Sequence, residues 1–223
     1  MPSKIYHLFI FIFFSLFFFN TKLNSQISFN GGFNYLNYES QDRTSQEVLN
    51  EKLSGFSFEL AYWFRLKDYR VEFYPGVGLS LLNSNSHSAI DDFDLRLTHL
   101  FWATRIYPFS FEDDCMCPTF NKQSGIFEDG FFVSLTPHYL FAENSVKWSS
   151  EEYKVKSNTF MLDLGIGLDI GISEFLTLTP EIRYRLSGDF SSPPLQDFEN
   201  ANNWETSFSG WFWGVGLGFR WKD

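Results

Sequence analysis

The chain has 223 residues, 44% of them hydrophobic and 21% aromatic, with a net charge of -10, yet its mean hydropathy is only -0.17. One residue in five is charged and only one long apolar run occurs, which excludes a disordered chain and a bundle of membrane helices, since each such helix needs about 20 apolar residues. Acidic residues outnumber basic ones 27 to 17, so the cationic surface that binds nucleic acid is missing and nucleic acid is not an expected partner.

Residues 1–25 carry Lys4 and His7, then the apolar block Leu8 to Phe19, then a polar stretch reaching Ser25. As a helix that block is about 18 Å long, too short for a bilayer core of about 30 Å. A basic start, a short apolar block and a small residue at its end predict a signal peptide removed on export. No Cys follows the block, so a lipid-anchored form is not expected. Removal of Lys4 and Lys22 leaves 15 basic against 27 acidic residues, a net charge of -12 over residues 26–223, which have the length of one domain.

Eight segments of that domain alternate with period 2, the signature of strands exposing two chemically different faces. They cover roughly 27–38, 55–66, 69–82, 95–107, 130–141, 157–172, 175–186 and 208–221. In the second, Phe56, Phe58, Leu60, Tyr62, Phe64 and Leu66 share one face, with Ser57, Glu59, Ala61, Trp63 and Arg65 on the other. In the sixth, Phe160, Leu162, Leu164, Ile166, Leu168 and Ile170 oppose Met161, Asp163, Gly165, Gly167, Asp169 and Gly171. The fourth changes parity between Leu95 and Leu97 on one side and Leu100, Trp102 and Ile106 on the other, which predicts a bulge near Thr98-His99.

Tight turns are expected at Lys67-Asp68 and around Ser173-Glu174, and long polar loops at 39–54, 83–94, 142–156 and 187–207. Short turns at one end and long loops at the other are the layout of a transmembrane barrel. The segment 108–129 is a long connection on the short-turn side. The predicted fold is all-β: an eight-stranded antiparallel up-and-down transmembrane β-barrel spanning 26–223.

A soluble barrel would put the apolar face inward. The glycines decide against that here, because Gly165, Gly167, Gly171, Gly214, Gly216 and Gly218 lie on the less apolar face, where a narrow lumen needs small residues opposite long ones. Pairing Leu66 with Tyr69 sets Glu59 against Gly76 and Ser57 against Gly78, while pairing Ile172 with Leu176 sets Gly167 against Glu181, Gly165 against Arg183 and Asp163 against Arg185. The lumen is therefore expected to hold a charge network of Glu59, Glu72, Asp163, Asp169, Glu181, Arg183 and Arg185, which must pair to be tolerated away from water. Its plainest role is to fill and order the barrel; a proton or ion path is the alternative. Tyr35, Tyr38, Tyr62, Phe64, Tyr69, Tyr107, Tyr184, Trp211, Trp213 and Trp221 near strand ends read as interfacial girdles. Loop residues Trp148 and Trp204 offer a sugar-stacking alternative.

No catalytic constellation is expected. His87 lies in a polar loop, His138 alternates with Ser134 and Thr136 on the lumen face, and His99 has no partnering Ser. Cys115 and Cys117, in the sequence Glu112 to Pro118, fit a disulfide or partner-docking loop better than a metal site, because two ligands hold a metal weakly. Asp91, Asp92 and Asp94 read as a solvated acidic loop rather than a calcium site. No metal and no cofactor is called for.

The last segment, Gly210 to Trp221 (GWFWGVGLGFRW), together with the signal peptide and the eight amphipathic strands, resembles the small outer-membrane β-barrel proteins of the OmpA/OmpX-like and PorT-like porin-family class. The resemblance implies residence in the outer membrane of a Gram-negative bacterium, amid its lipid and lipopolysaccharide. It also implies insertion by the barrel-assembly machinery, which reads an aromatic-alternating final strand such as Trp213, Val215, Leu217, Phe219 and Trp221. Lys222-Asp223 follow where the family usually has a terminal aromatic. Members are structural or surface-interaction proteins, narrow conductors, lipid A-modifying enzymes, or accessory components of secretion machines. The 108–129 segment is the expected docking point for a periplasmic partner.

Overall fold

The computed structural model describes residues 26–42, 48–66, 69–84, 92–109, 130–148, 151–173, 175–191 and 204–220. Among them, eight strands run in chain order: β1 (Gln26–Asp42), β2 (Val48–Tyr62, resuming at Phe64–Arg65), β3 (Val71–Ser84), β4 (Asp92–Ile106), β5 (Phe131–Trp148), β6 (Glu151–Leu168, resuming at Ile170–Gly171), β7 (Leu176–Ser187, resuming at Phe190–Ser191) and β8 (Trp204–Arg220). Each pairs antiparallel with the next, and β8 pairs with both β7 and β1, so the sheet closes into an up-and-down barrel. Closure leaves no free edge along the membrane-length part of the wall.

The pairing fixes the barrel's dimensions. Following paired residues from Ser28 through Ala61, Gly76, Phe101, His138, Met161 and Ser187, whose Oγ accepts from the Phe208 amide, returns to β1 at Tyr38, ten residues further along. A stagger of ten over eight strands, with a rise of about 3.3 Å and a spacing of about 4.8 Å, tilts the strands by about 40°. The interior of so small a barrel admits side chains and little else.

Facing outward are Ile27 to Tyr35 on β1, Phe56 to Leu66 on β2, Val71 to Leu81 on β3, Thr98 to Ile106 on β4, Phe131 to Phe141 on β5, Phe160 to Ile170 on β6, Leu176 to Leu186 on β7 and Trp211 to Phe219 on β8, taking alternate residues. None of these outward side chains is charged. The band is about ten residues tall along each strand, or about 25 Å along the axis after the tilt, the height of a transmembrane barrel's apolar belt.

Beyond the band the pattern inverts. Asn37, Glu39, Lys52, Asn83, Asp94, Arg96, Lys156 and Asn158 point outward, while Leu36, Tyr38, Leu53, Leu82, Leu95, Leu97, Leu140, Ala142, Met161, Phe190 and Phe208 are buried together inside. This stretch has the core of a soluble barrel, apolar inward and polar outward. The inversion corrects two expectations. No bulge interrupts β4, whose register against β3 runs without a slip from Val71↔Ile106 to Asn83↔Asp94; Leu95 and Leu97 share the inward face with His99 and Phe101. Much of two long loops is also wall: β1 and β2 pair as far as Gln41↔Val48 within 39–54, and β5 and β6 as far as Trp148↔Glu151 within 142–156. Polar residues on the outer face disguised these strand ends.

The β2–β3 register also differs from expectation. Glu59 pairs with Gly78, Ser57 with Ser80 and Ala61 with Gly76, a shift of two that keeps every side chain on its face. It arises because the Leu66 amide donates to the Val71 carbonyl at 3.1 Å, so Leu66 pairs with Val71 rather than with Tyr69. In the β6–β7 hairpin the Ile172 amide donates to Leu176 at 2.9 Å, and Gly167↔Glu181, Gly165↔Arg183 and Asp163↔Arg185 pair as the sequence suggests. Two tyrosines leave the girdle. Tyr38 packs edge-on against Phe190 inside the apolar layer, and Tyr107 is buried at the other end of the lumen. Trp102, wedged between Phe64 and Phe73 on the outer face, is an aromatic of that belt which the sequence reading left out.

Glycine is required where rings and long chains cross the lumen. A Cβ on Gly78 would lie 2.1 Å from His99 Nε2, and one on Gly167 2.3 Å from the Phe132 ring. Gly78→Ala is expected to lower the unfolding free energy by about 1–3 kcal/mol, whereas Gly218→Ala, whose Cβ meets Thr177 at 3.7 Å, is expected to lose none; denaturant titration of tryptophan fluorescence in detergent reads both. Unboiled protein is expected to migrate differently from boiled protein on a denaturing gel, as a closed barrel does, and identical mobility would contradict closure.

Candidate functional site

Between the apolar layer and the opposite mouth, the lumen holds a charged layer. Glu59 on β2, Glu72 on β3, Asp163 on β6, and Glu181, Arg183 and Arg185 on β7 are buried and point inward, and Asp169 sits at the break in β6. At the centre, two guanidiniums share two carboxylates. Arg183 reaches Glu59 at 2.7 Å and Asp163 at 3.3 Å; Arg185 reaches Glu59 at 3.0 Å and Asp163 at 3.2 Å. Arg183 Nε also lies 3.1 Å from Glu181. Phe212 on β8 covers both arginines, 4.1 and 4.4 Å from ring centroid to guanidinium. Such planar, forked donors stacked on a ring are the form in which a cation is best kept out of water.

Arg105 on β4 carries the network to the mouth defined by Gln26 and Arg220. It donates to Glu181 at 3.1 Å, lies 3.7 Å from Asp169, and is sandwiched between the Tyr74 and Phe132 rings at 4.2 and 4.4 Å. Glu72 accepts from the Tyr74 and Tyr107 hydroxyls, both at 2.8 Å, and Asp169 accepts from Thr179 at 2.6 Å as well as contacting the Tyr107 hydroxyl. On the other side Arg185 donates to Asn34 Oδ1 at 2.7 Å, Asn34 donates to Ser57, and Ser57 hydrogen-bonds Ser80 at 2.6 Å. Asn30 donates to Glu181.

The two described histidines complete the layer beneath the apolar plug. His99 Nε2 is 3.6 Å from Glu59, His138 Nε2 is 3.2 Å from Asp163, and their ring centroids are 5.1 Å apart. Both are buried on the lumen face. The sequence reading missed Arg105, His99, Asn30, Asn34 and Tyr107 as members of this layer. Parity held the signal for Arg105 and His99: with β4 read as one uninterrupted strand, both fall on the face of Phe101 and Ala103.

Chemically the arrangement can neutralise and lock. Every carboxylate named here has a guanidinium or hydroxyl neighbour, and among the described residues no cluster of three or more His, Cys, Asp and Glu has metal-binding geometry. Residues 1–25, His87, Asp91, Trp221 and 110–129, with Cys115 and Cys117, lie outside the described residues, as do the side chains of Asp92, Trp148 and Trp204.

No family model matches the chain, and no curated protein matches it. Solved structures similar to it include Neisserial surface protein A (NspA), 13% identical over 89% of this chain and 98% of that one with a TM-score of 0.48. The outer membrane protein OprG from Pseudomonas aeruginosa is 10% identical over 90% and 97% with a TM-score of 0.45. The outer membrane protease OmpT from Escherichia coli is 7% identical over 88% and 97% with a TM-score of 0.41.

Glu59→Gln removes a charge shared by two buried arginines and is expected to cost about 3–5 kcal/mol. Glu143→Gln, which frees the exposed Lys156 on the outer wall, is expected to change stability by less than about 0.5 kcal/mol. Urea unfolding from lipid vesicles separates the two, and equal effects would deny the central quartet its role.

Proposed function

We propose that the protein is an outer-membrane barrel of a Gram-negative bacterium, exported through the signal peptide at 1–25, with a structural or surface-interaction role and no diffusive pore. The observation that carries this reading is the stacking of two filled layers in one lumen: a paired charged layer, and above it an apolar plug of Leu36, Leu53, Leu82, Leu95, Leu97, Leu140 and Phe208. An ion crossing the barrel would have to shed its water to enter the plug, at a cost no partner there offsets. The uncharged outward band supports the membrane assignment, with surrounding lipid and lipopolysaccharide as its contacts. The polar wall above it is the part offered to other surfaces.

The same geometry bears on the enzymatic alternative. Chemistry on lipid A needs a base reachable from the bilayer, and the two histidines among the described residues, His99 and His138, are 0% and 2% exposed and face the lumen. The reading is therefore of a barrel without catalysis, and the lipid A mass spectrum is expected to be the same in cells with and without the protein.

Purified protein in a planar bilayer is expected to give no sustained conductance at either polarity. Long-lived, reproducible openings would overturn the closed-lumen reading in favour of a narrow conductor.

A further inference from the structure

The charged layer is not completely filled. A cavity of about 20 Å³ lies within it, lined by Asn30, Glu59, Arg105, Ser134, Glu181 and Arg183, with Thr136 beside Ser134 on β5. That volume holds one water molecule and nothing larger. Three oxygens of this lining have no protein partner although they are buried: Asn30 Oδ1, Ser134 Oγ and Thr136 Oγ1. Asn30 is 7% exposed, Ser134 3% and Thr136 1%, so bulk water does not reach them. Leaving three such groups unsatisfied would cost more than most of the single contacts around them contribute. Local geometry holds the hydroxyl of Ser134 in place, because it faces Gly165, where a Cβ would stand 2.6 Å from Ser134 Oγ.

We propose that this cavity is a permanent binding site for one water molecule, which accepts from the Ser134 and Thr136 hydroxyls and donates to Asn30 Oδ1. The charges on the lining select a neutral occupant. A cation would meet Arg105 and Arg183, and an anion would meet Glu59 and Glu181, all of them already paired with one another. Water alone supplies donors and acceptors without unbalancing those pairs. Through Asn30, which itself donates to Glu181, the water joins β5 to β1 and β7 across the lumen. It therefore ties the Ser134 and Thr136 hydroxyls to the network at Glu181, which Arg105 and Arg183 already share.

Magnetic relaxation dispersion of solvent deuterium and oxygen-17, on the full barrel in detergent micelles, counts long-lived internal waters. The wild type is expected to show one more such water than the Ser134→Ala/Thr136→Val double variant, which keeps the shape of the site and removes two of its three partners. The count is expected to stay the same when sodium is replaced by potassium and chloride by a bulky organic anion. Equal counts in wild type and double variant would overturn the proposal, as would an occupant whose presence depends on the salt. Should the double variant fail to fold, a high-resolution structure of the wild type decides: a density peak within hydrogen-bonding distance of all three oxygens sustains the site, and an empty cavity refutes it.

Discussion

Two guanidiniums sharing two carboxylates at the centre of a narrow lumen set the terms for the rest of the barrel. Eight strands staggered by ten residues leave room for one layer of side chains to meet across the axis. Glu59 on β2, Asp163 on β6 and the two arginines on β7 therefore reach one another directly. Everything near them is shaped by that meeting. Phe212 lies over the arginines, Gly165 keeps its face clear of the Arg183 stem, and Asn34 Oδ1 accepts a hydrogen bond from Arg185.

The quartet's value is specificity more than net stability. Moving ions from water into a packed interior costs several kcal/mol each, and mutual attraction returns that cost only with good geometry and filled hydrogen bonds. Arginine supplies that geometry here, each guanidinium reaching both carboxylates, and lysine would not, because its single ammonium can neither bridge two carboxylates in a fork nor lie against a ring over its whole face. The aromatic slots around Arg105, formed by Tyr74 and Phe132, repeat the same device one layer down. Because the pairings are between particular residues on particular strands, any register slip would strand a charge. The apolar plug lacks that discrimination, since one leucine contact resembles another.

How much of this was legible in the sequence follows from which signals a strand leaves behind. Period-2 alternation located all eight strands and assigned their faces, and the β6–β7 register was readable because its turn is short and glycines stand opposite arginine and glutamate. The β2–β3 register was not, because a shift of two preserves every face and only the backbone of the turn distinguishes the alternatives. The upper wall was misread as loop because the strand leaves one solvent for another along its length: Leu95 and Leu97 face inward as Leu100 and Trp102 face outward, and a single strand obeys both rules. Tyr38 and Tyr107 were misplaced for a related reason. An aromatic at a strand end belongs to the belt only when its parity is outward, and both have the inward parity of their strands.

The central pairs also join parts of the chain that are made far apart in time. Arg183 and Glu59 are separated by 124 positions, and Arg185 and Asn34 by 151. Hairpins of adjacent strands can form early, but none of them contains the complete quartet: the β6–β7 hairpin brings Asp163 to Arg183 and Arg185, while Glu59 stands apart on β2. Such contacts impose the slow search of a high-contact-order topology. Ring closure then completes the charge pairing: β1 and β2 must arrive beside β7 and β8 before Arg183 and Arg185 meet Glu59 and Asn34. A chain stopped short of β7 would hold Glu59 and Asp163 with no arginine to meet them, and would have reason to stay open.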